Sequence, residues 1–123
     1  MLLDSNIFIY AIQPEHEQLR KWCMGIEIAI SDVTRLEVLG YRQLTERDKQ
    51  ELMNIFSYTN IYEITRNIID LGITLRQQRK MSVGDAIIAA TALKYRRVLA
   101  TRNVSNFIWI EDLKVINPLD IIG

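Results

Sequence analysis

The sequence predicts an α/β fold, a three-layer sandwich with helices on both faces of a mostly parallel central sheet. Three observations predict it. Short apolar runs of strand character alternate with longer segments whose apolar residues recur at helical spacing. Several of those longer segments open on Ser or Thr and close near Gly, the residue types that cap helix ends. The 123 residues, 49% hydrophobic and 24% charged, suffice for one domain (1–123) with one core and lack the composition of a disordered chain.

The elements follow in order. Met1-Leu2-Leu3 is a short apolar strand that stops at Asp4. Asn6–Ile12 is a largely apolar turn of helix, broken at Gln13-Pro14. Glu15 to about Met24 reads as a second helix ending near Gly25, and Ile26–Ile30 alternates as a strand does. Ser31 caps a helix that runs to about Leu39 and ends at Gly40. Thr45 with Asp48 opens another, running to about Tyr58. Ile61–Ile64 is a strand. Thr65 caps a long helix through Lys80, weakened by Gly72 inside it. Ser82 to about Tyr95 is an Ala/Ile-rich helix, Arg97–Ala100 a strand, 101–107 a polar loop and Leu113–Ile116 a last short strand. There is no repeat, low-complexity segment or linker. In such sheets ligands bind beyond the carboxyl ends of the strands, which points to Asp4, to Ser31 and Asp32, and to Thr101 onward.

Several classes of function are disfavoured at once. No apolar run approaches the ~18 residues of a membrane span, and Met1-Leu2-Leu3-Asp4 lacks the pattern of a signal peptide. Cys23 is the only cysteine, flanked by Trp22 and Met24, and reads as a buried structural thiol in a reducing, cytoplasmic setting. His16, the only histidine, lies in a polar stretch and reads as solvent-exposed. A His-rich zinc site and a Ser–His–Asp triad are thereby set aside, and no phosphate-binding Gly motif occurs. Net charge is zero, yet residues 1–63 carry −4, 64–102 carry +6 and 103–123 carry −2. A basic middle segment suits either a phosphate backbone or a solvated helix face.

Three acids stand out. Asp4 follows the first strand directly, as a ligand or as a helix cap. Glu37 falls within a helical stripe formed by Val33, Leu36, Gly40 and Leu44, and Arg35 points elsewhere. An acid on a buried face needs a partner, a proton or a cation. Asp85 shares a helical face with Ile88, Ala89 and Ala92, although Ser82–Asp85 also fits a capping box. Acids at the heads of elements and inside apolar stripes suggest one cluster, which a cation would have to join. Without His or thiol ligands, hard oxygen donors indicate Mg²⁺ or Mn²⁺, an ion suited to phosphoryl chemistry. Arg66, Arg76, Arg79, Lys80, Lys94, Arg96, Arg97 and Arg102 would then hold the rest of a nucleic-acid backbone.

At these residues the sequence resembles the PIN-domain family. Leu3-Asp4-Ser5-Asn6-Ile7-Phe8-Ile9-Tyr10 resembles its opening motif. The second motif is matched by Ser31–Gly40 with its glutamate at Glu37, the third by Gly84–Ala92, and the fourth by Leu99–Phe107. The motifs keep the family's order and span nearly the whole chain. The length and the ending Val115-Ile116-Asn117-Pro118 look like VapC-type toxins. The resemblance implies a PIN-like α/β sandwich and a Mg²⁺- or Mn²⁺-dependent endoribonuclease. It places metal ligation on Asp4 and Asp85, with Glu37 completing the cluster. Ser5, Asn6 and Thr101 fall at supporting positions, and Asn103 at a polar position near the metal. It also implies a homodimer and neutralisation by a VapB-like antitoxin. One departure is notable: Asn106 stands where the fourth motif usually carries aspartate, so the site formally holds −3 instead of −4. Three readings stay open: an RNA-cleaving enzyme, a catalytically impaired PIN-like module that binds RNA or protein, and an unrelated α/β protein whose acids are caps.

Overall fold

The computed structural model describes residues 1–122. The elements are β1 (Leu2–Leu3), α1 (Ser5–Ala11), a 3₁₀ turn (Pro14–His16), α2 (Glu17–Met24), β2 (Ala29–Ser31), α3 (Asp32–Leu39) and α4 (Glu46–Ser57). There follow β3 (Asn60–Tyr62), α5 (Arg66–Gln78), α6 (Val83–Lys94), β4 (Leu99–Ala100), a 3₁₀ turn (Val104–Asn106), β5 (Val115–Ile116) and α7 (Pro118–Ile122). The strands form one five-stranded sheet in the order β3-β2-β1-β4-β5, and every pairing is parallel. The predicted α/β class with a parallel sheet is therefore what the chain forms. No described helix is long and apolar enough to cross a membrane.

Alternation along each short strand builds the layers. Leu2, Ala29 and Leu99 face Ile68 and Leu75 of α5 and Ile88 of α6. Leu3, Ile30 and Ala100 face Ile7 and Phe8 of α1, Leu19 of α2, and Leu52 and Phe56 of α4. Phe8 meets Phe56 edge to face, 5.1 Å between ring centroids. From Ala86 to Ala92, α6 is buried on all sides, as a helix without a polar stripe must be. The predicted thiol role of Cys23 fits: it is buried, unpaired, and raised to about 11 by burial.

Three local expectations change. The strands are shorter than predicted at 26–30, 61–64, 97–100 and 113–116, because β1 offers only Leu2 and Leu3 and its neighbours pair over the same narrow band. The second helix opens as a 3₁₀ turn at Pro14, whose fixed φ starts a helix but whose missing N–H adds no bond. His16 is not free in solvent; its ring stacks on Tyr10 at 3.9 Å between centroids. Helix α7 was not anticipated, although Asn117-Pro118 carries its start signal: the Asn117 Oδ1 accepts from the Leu119 N–H at 3.0 Å. Gly72 sits where α5 crosses α6, and a Cβ there would come within 3.6 Å of the Ala86 carbonyl oxygen. The glycine that weakened the helix by propensity thus marks the close helix–helix contact.

Candidate active site

From β1 the sheet grows outward through β2 to β3, then returns past β1 to add β4 and β5 on the other side. The connections that leave the carboxyl ends of β1 and β4 therefore run to opposite sides of the sheet, and an open parallel sheet forms its crevice at that point. Asp4 follows β1 there, and Thr101 follows β4.

Asp4 is 5% exposed and serves as the N-cap of α1. Its Oδ1 accepts from the Ser5 N–H at 2.7 Å, and its Oδ2 accepts from the Thr101 hydroxyl at 2.8 Å. Each oxygen keeps a second lone pair. Capping and ligation, posed as rivals by the sequence, are thus compatible. Burial raises the Asp4 carboxyl from an ordinary 3.8 to about 6; the Thr101 hydrogen bond opposes the rise, and the charges of Asp85 and Glu37 add to it.

Glu37 reaches the same place by a different face from the one expected. The predicted stripe of Val33, Leu36, Gly40 and Leu44 is incorrect: Leu36 is 74% exposed, and α3 buries Val33, Thr34 and Val38. Helix α3 ends at Gly40, too early for Leu44 to share its face. Glu37 is exposed, not on the buried face as expected. Its Oε1 is 2.6 Å from the Ser5 hydroxyl, which is also 3.2 Å from the Thr34 hydroxyl. Ser5 has one hydroxyl proton and donates it to the carboxylate, so Thr34 donates to Ser5. Thr34, fully buried, was missed by sequence reasoning. A hydroxyl inside an apolar helix face was its only signal. Arg35 pairs with Asp32 at 2.9 Å and leaves Glu37 alone, as predicted.

Asp85 occupies the first turn of α6, where its N–H donates to the Ser82 Oγ at 3.1 Å. It is half-buried. Burial raises its carboxyl first, the Glu37 charge raises it further, and the Ser82 hydroxyl opposes both. The preceding Gly84 is in close contact with Glu37: a Cβ there would lie 2.7 Å from Oε2. Gly84→Ala is therefore expected to displace the Glu37 carboxylate. Because that carboxylate ends a flexible side chain, stability should change by less than about 1 kcal/mol. Turnover should fall roughly tenfold to a hundredfold through misplacement alone. Paired thermal melts and activity measurements check this.

The supporting positions divide. Thr101 is fully buried, and its Oγ1 accepts from the Asn103 N–H at 3.0 Å and the Asn6 Nδ2 at 3.5 Å. Asn6 Oδ1 accepts from the Arg102 N–H at 3.4 Å. Ser5, Asn6 and Thr101 thus form one network with Asp4 and Glu37. Asn103 joins it through its backbone. Asn106 sits in the Val104–Asn106 turn, exposed, and its carbonyl accepts from Trp109 Nε1 at 2.8 Å; no contact brings its side chain to the acids. The basic segment also divides. Arg97 is held by Glu27 at 3.0 Å and Tyr62 at 3.1 Å, and Lys94 by Thr65 at 3.2 Å. Lys94 lies roughly 14 Å down α6 from Asp85 at helical rise. Arg97 and Lys94 therefore serve the far end of the helix pair, contrary to the expectation that all eight cations face one backbone.

Asp4, Glu37 and Asp85 thus come together from separate parts of the chain: the charges of Asp85 and Glu37 add to the rise of the Asp4 carboxyl, and the charge of Glu37 adds to that of Asp85. Among the described residues no ion pair reaches any of them. Nor do three His, Cys, Asp or Glu side chains stand in a ready ligating array. They are neighbours with no basic partner to offset their charge. Their donor set is all hard oxygen, with lone pairs left on Asp4, and it fits a divalent ion of the Mg²⁺ or Mn²⁺ kind.

A chain of a toxin–antitoxin complex from Klebsiella pneumoniae is 31% identical with a TM-score of 0.76, over 95% of this chain and 96% of that one. A chain of FitAcB from Neisseria gonorrhoeae, 22% identical, shares the fold with a TM-score of 0.78 over 96% of this chain and 97% of its own. So does a chain of DNA-bound VapBC from Salmonella typhimurium, 20% identical with a TM-score of 0.80, over 94% of this chain and 96% of its own. No curated protein matches the sequence. The family model of the PIN domain matches residues 1–107, and the chain belongs to the PIN domain family.

Proposed function

We propose that this protein is a Mg²⁺- or Mn²⁺-dependent endoribonuclease, the VapC-like toxin of a toxin–antitoxin pair. The observation that carries the reading is the trio Asp4, Glu37 and Asp85 at the switch point of a parallel sheet: Ser5 bonds both Asp4 and Glu37, Gly84 sets Asp85 beside Glu37, and no basic partner pairs with any of them among the described residues. In this reading Asp4 and Asp85 hold the ion, and Glu37 holds ion or water. A bound divalent ion supplies a polarised phosphate and a more acidic water. The chain's own part is orientation. The Thr101 hydroxyl and the Ser5 N–H fix the two oxygens of Asp4, and the Ser5 hydroxyl fixes Glu37. Asn6 and the backbone of Asn103 hold Thr101 in turn.

The Klebsiella relative is a member of a toxin–antitoxin complex, which supports a VapB-like antitoxin as partner here. Exposed apolar side chains next in sequence to Glu37 and Gly84, Leu36 at 74% and Val83 at 58%, support association with a second copy of the chain. RNA is the substrate the family resemblance implies, and a cytoplasmic site of action goes with it.

The test is cleavage of structured RNA by purified protein with Mn²⁺. Wild type should cut, and Asp85→Asn should cut at least about a hundredfold more slowly with its fold intact. Equal rates would refute the assignment. One observation favours a second reading, a PIN-like module that binds without cutting: Asn106 brings no charge, is exposed, and makes no side-chain hydrogen bond to the acids. If wild type and Asn106→Asp both bind RNA and neither cuts, that reading replaces the first. If only Asn106→Asp cuts, the natural chain is an impaired enzyme.

A further inference from the structure

Two exposed arginines have an aromatic ring near the guanidinium and no carboxylate partner among the described residues. The Arg102 Cζ is 3.5 Å from the centroid of Tyr10. The His16 ring is 3.9 Å from the same centroid at 28°. Two groups this close to one ring must occupy its opposite faces, so Tyr10 is clamped and presents a fixed surface to Arg102. Tyr10 lies one turn beyond Asn6 on α1, and Asn6 Oδ1 accepts from the Arg102 N–H. Arg102 directly follows Thr101, whose hydroxyl bonds Asp4. The backbone of Arg102 is thereby tied to the network around Asp4, and its side chain rests on Tyr10 one helical turn along α1.

The second pair is Arg79 and Trp109, with the Arg79 Cζ 5.6 Å from the indole centroid. Trp109 is fixed by the bond from its Nε1 to the Asn106 carbonyl. Arg79 ends α5 and precedes Ser82, the cap of the helix whose first turn holds Asp85. Both arginines are exposed, and no acid pairs with either among the described residues. Arg35 and Arg97, by contrast, are held by Asp32 and Glu27.

A guanidinium lying on a ring keeps two features free. Its edge can fork two N–H donors to a phosphate. Its outer plane can stack an unpaired base, which a duplex would hide. We propose that Arg102 on Tyr10, next to Thr101, and Arg79 near Trp109, just ahead of the helix that carries Asp85, hold single-stranded RNA as it approaches the acid cluster. The inference rests on the nuclease reading for the identity of the strand, but it makes separate claims on binding.

The experiment measures binding of a short labelled single-stranded RNA, and of the same sequence as a duplex, to the full chain in EDTA. Variants are Arg102→Ala, Arg102→Lys, Arg79→Ala, the double Arg102→Ala/Arg79→Ala, and Lys49→Ala as an exposed cation elsewhere. Each alanine at an arginine should weaken single-strand binding about tenfold. Each should also lower the slope of log affinity against log salt by about 0.7. Arg102→Lys should recover only part, since an ammonium neither forks nor stacks flat. Lys49→Ala should bind as wild type, and the duplex should bind more weakly than the single strand. With Mn²⁺, the arginine losses should appear in KM more than in kcat. Arginine variants that bind like Lys49→Ala, equal affinity for duplex, or no binding by wild type would each overturn the proposal. If wild type cuts but the arginine variants keep KM, the clamp falls and the nuclease stands. If nothing cuts but binding follows the arginines, the nuclease falls and the clamp stands.

Discussion

Asp4→Asn is expected to abolish RNA cleavage and, in the same protein, to raise the stability of the metal-free fold at neutral pH. The catalytic loss should be about a thousandfold or more, the several kcal/mol that a polarising ion contributes to the transition state. The gain in stability follows from ionisation. The Asp4 carboxyl titrates near 6 in the fold against an ordinary 3.8, so the folded chain binds this proton more tightly than the unfolded chain does. The corresponding stability is fully present below about pH 4 and is lost as pH rises through about 6. Above that the ionised Asp4 costs about 3 kcal/mol. Asparagine keeps the shape and remains a good helix cap, but has no charge to bury. Denaturant unfolding in EDTA should show the two proteins close together at pH 4 and asparagine ahead at pH 7.5. A variant that is less stable at pH 7.5, with a gap that does not grow with pH, would contradict this.

Thr101→Val should produce the next largest change. The Thr101 hydroxyl is fully buried, donates to Asp4 Oδ2, and accepts from the Asn103 N–H and the Asn6 amide. Valine matches its volume but leaves a buried carboxylate oxygen and a backbone N–H without partners. The fold should lose about 2–3 kcal/mol. Because the Thr101 bond is what holds the Asp4 carboxyl down, its removal should carry the carboxyl above about 6. Metals bind the deprotonated form, so the acid limb of the pH–rate profile should move to higher pH. Thr101→Ser, which keeps the donor, should leave that limb in place. A profile unchanged by valine would show that Asp4 does not govern the pH dependence.

The sequence was most readable where its signals are local. Thr45, Thr65 and Ser82 cap their helices through Asp48, Ile68 and Asp85 as expected, because a cap needs only three or four consecutive residues. The parallel sheet followed from alternation of elements, although strand lengths did not, since pairing depends on the distant partner β1. Asp4 and Asp85 were legible as charges at the heads of elements. Glu37 was found for an incorrect reason: the stripe containing Leu36 assumed a helix continuing past Gly40. What turns Glu37 toward the crevice is Ser5 on α1, a contact across the fold. Composition showed a basic middle segment but not that Arg97 and Lys94 are held by Glu27 and Thr65 while Arg102 lies on the Tyr10 ring. Charge counts carry no information on partners, and Tyr10 has no sequence mark that sets it apart from a core aromatic. Asn106 was singled out by its motif alone, and the structure gives its side chain no link to the acids.

Calorimetric titration of Mn²⁺ into the metal-free protein at pH 7.5, beside Asp4→Asn, Glu37→Gln and Asp85→Asn, addresses the shared ion pocket most directly. Wild type should bind at one strong site, with affinity falling as pH drops through about 6 along with the ionisation of Asp4. Each substitution should weaken it about tenfold or more. Binding that survives all three substitutions, or no binding by wild type at millimolar Mn²⁺, would mean that these carboxylates do not form an ion site.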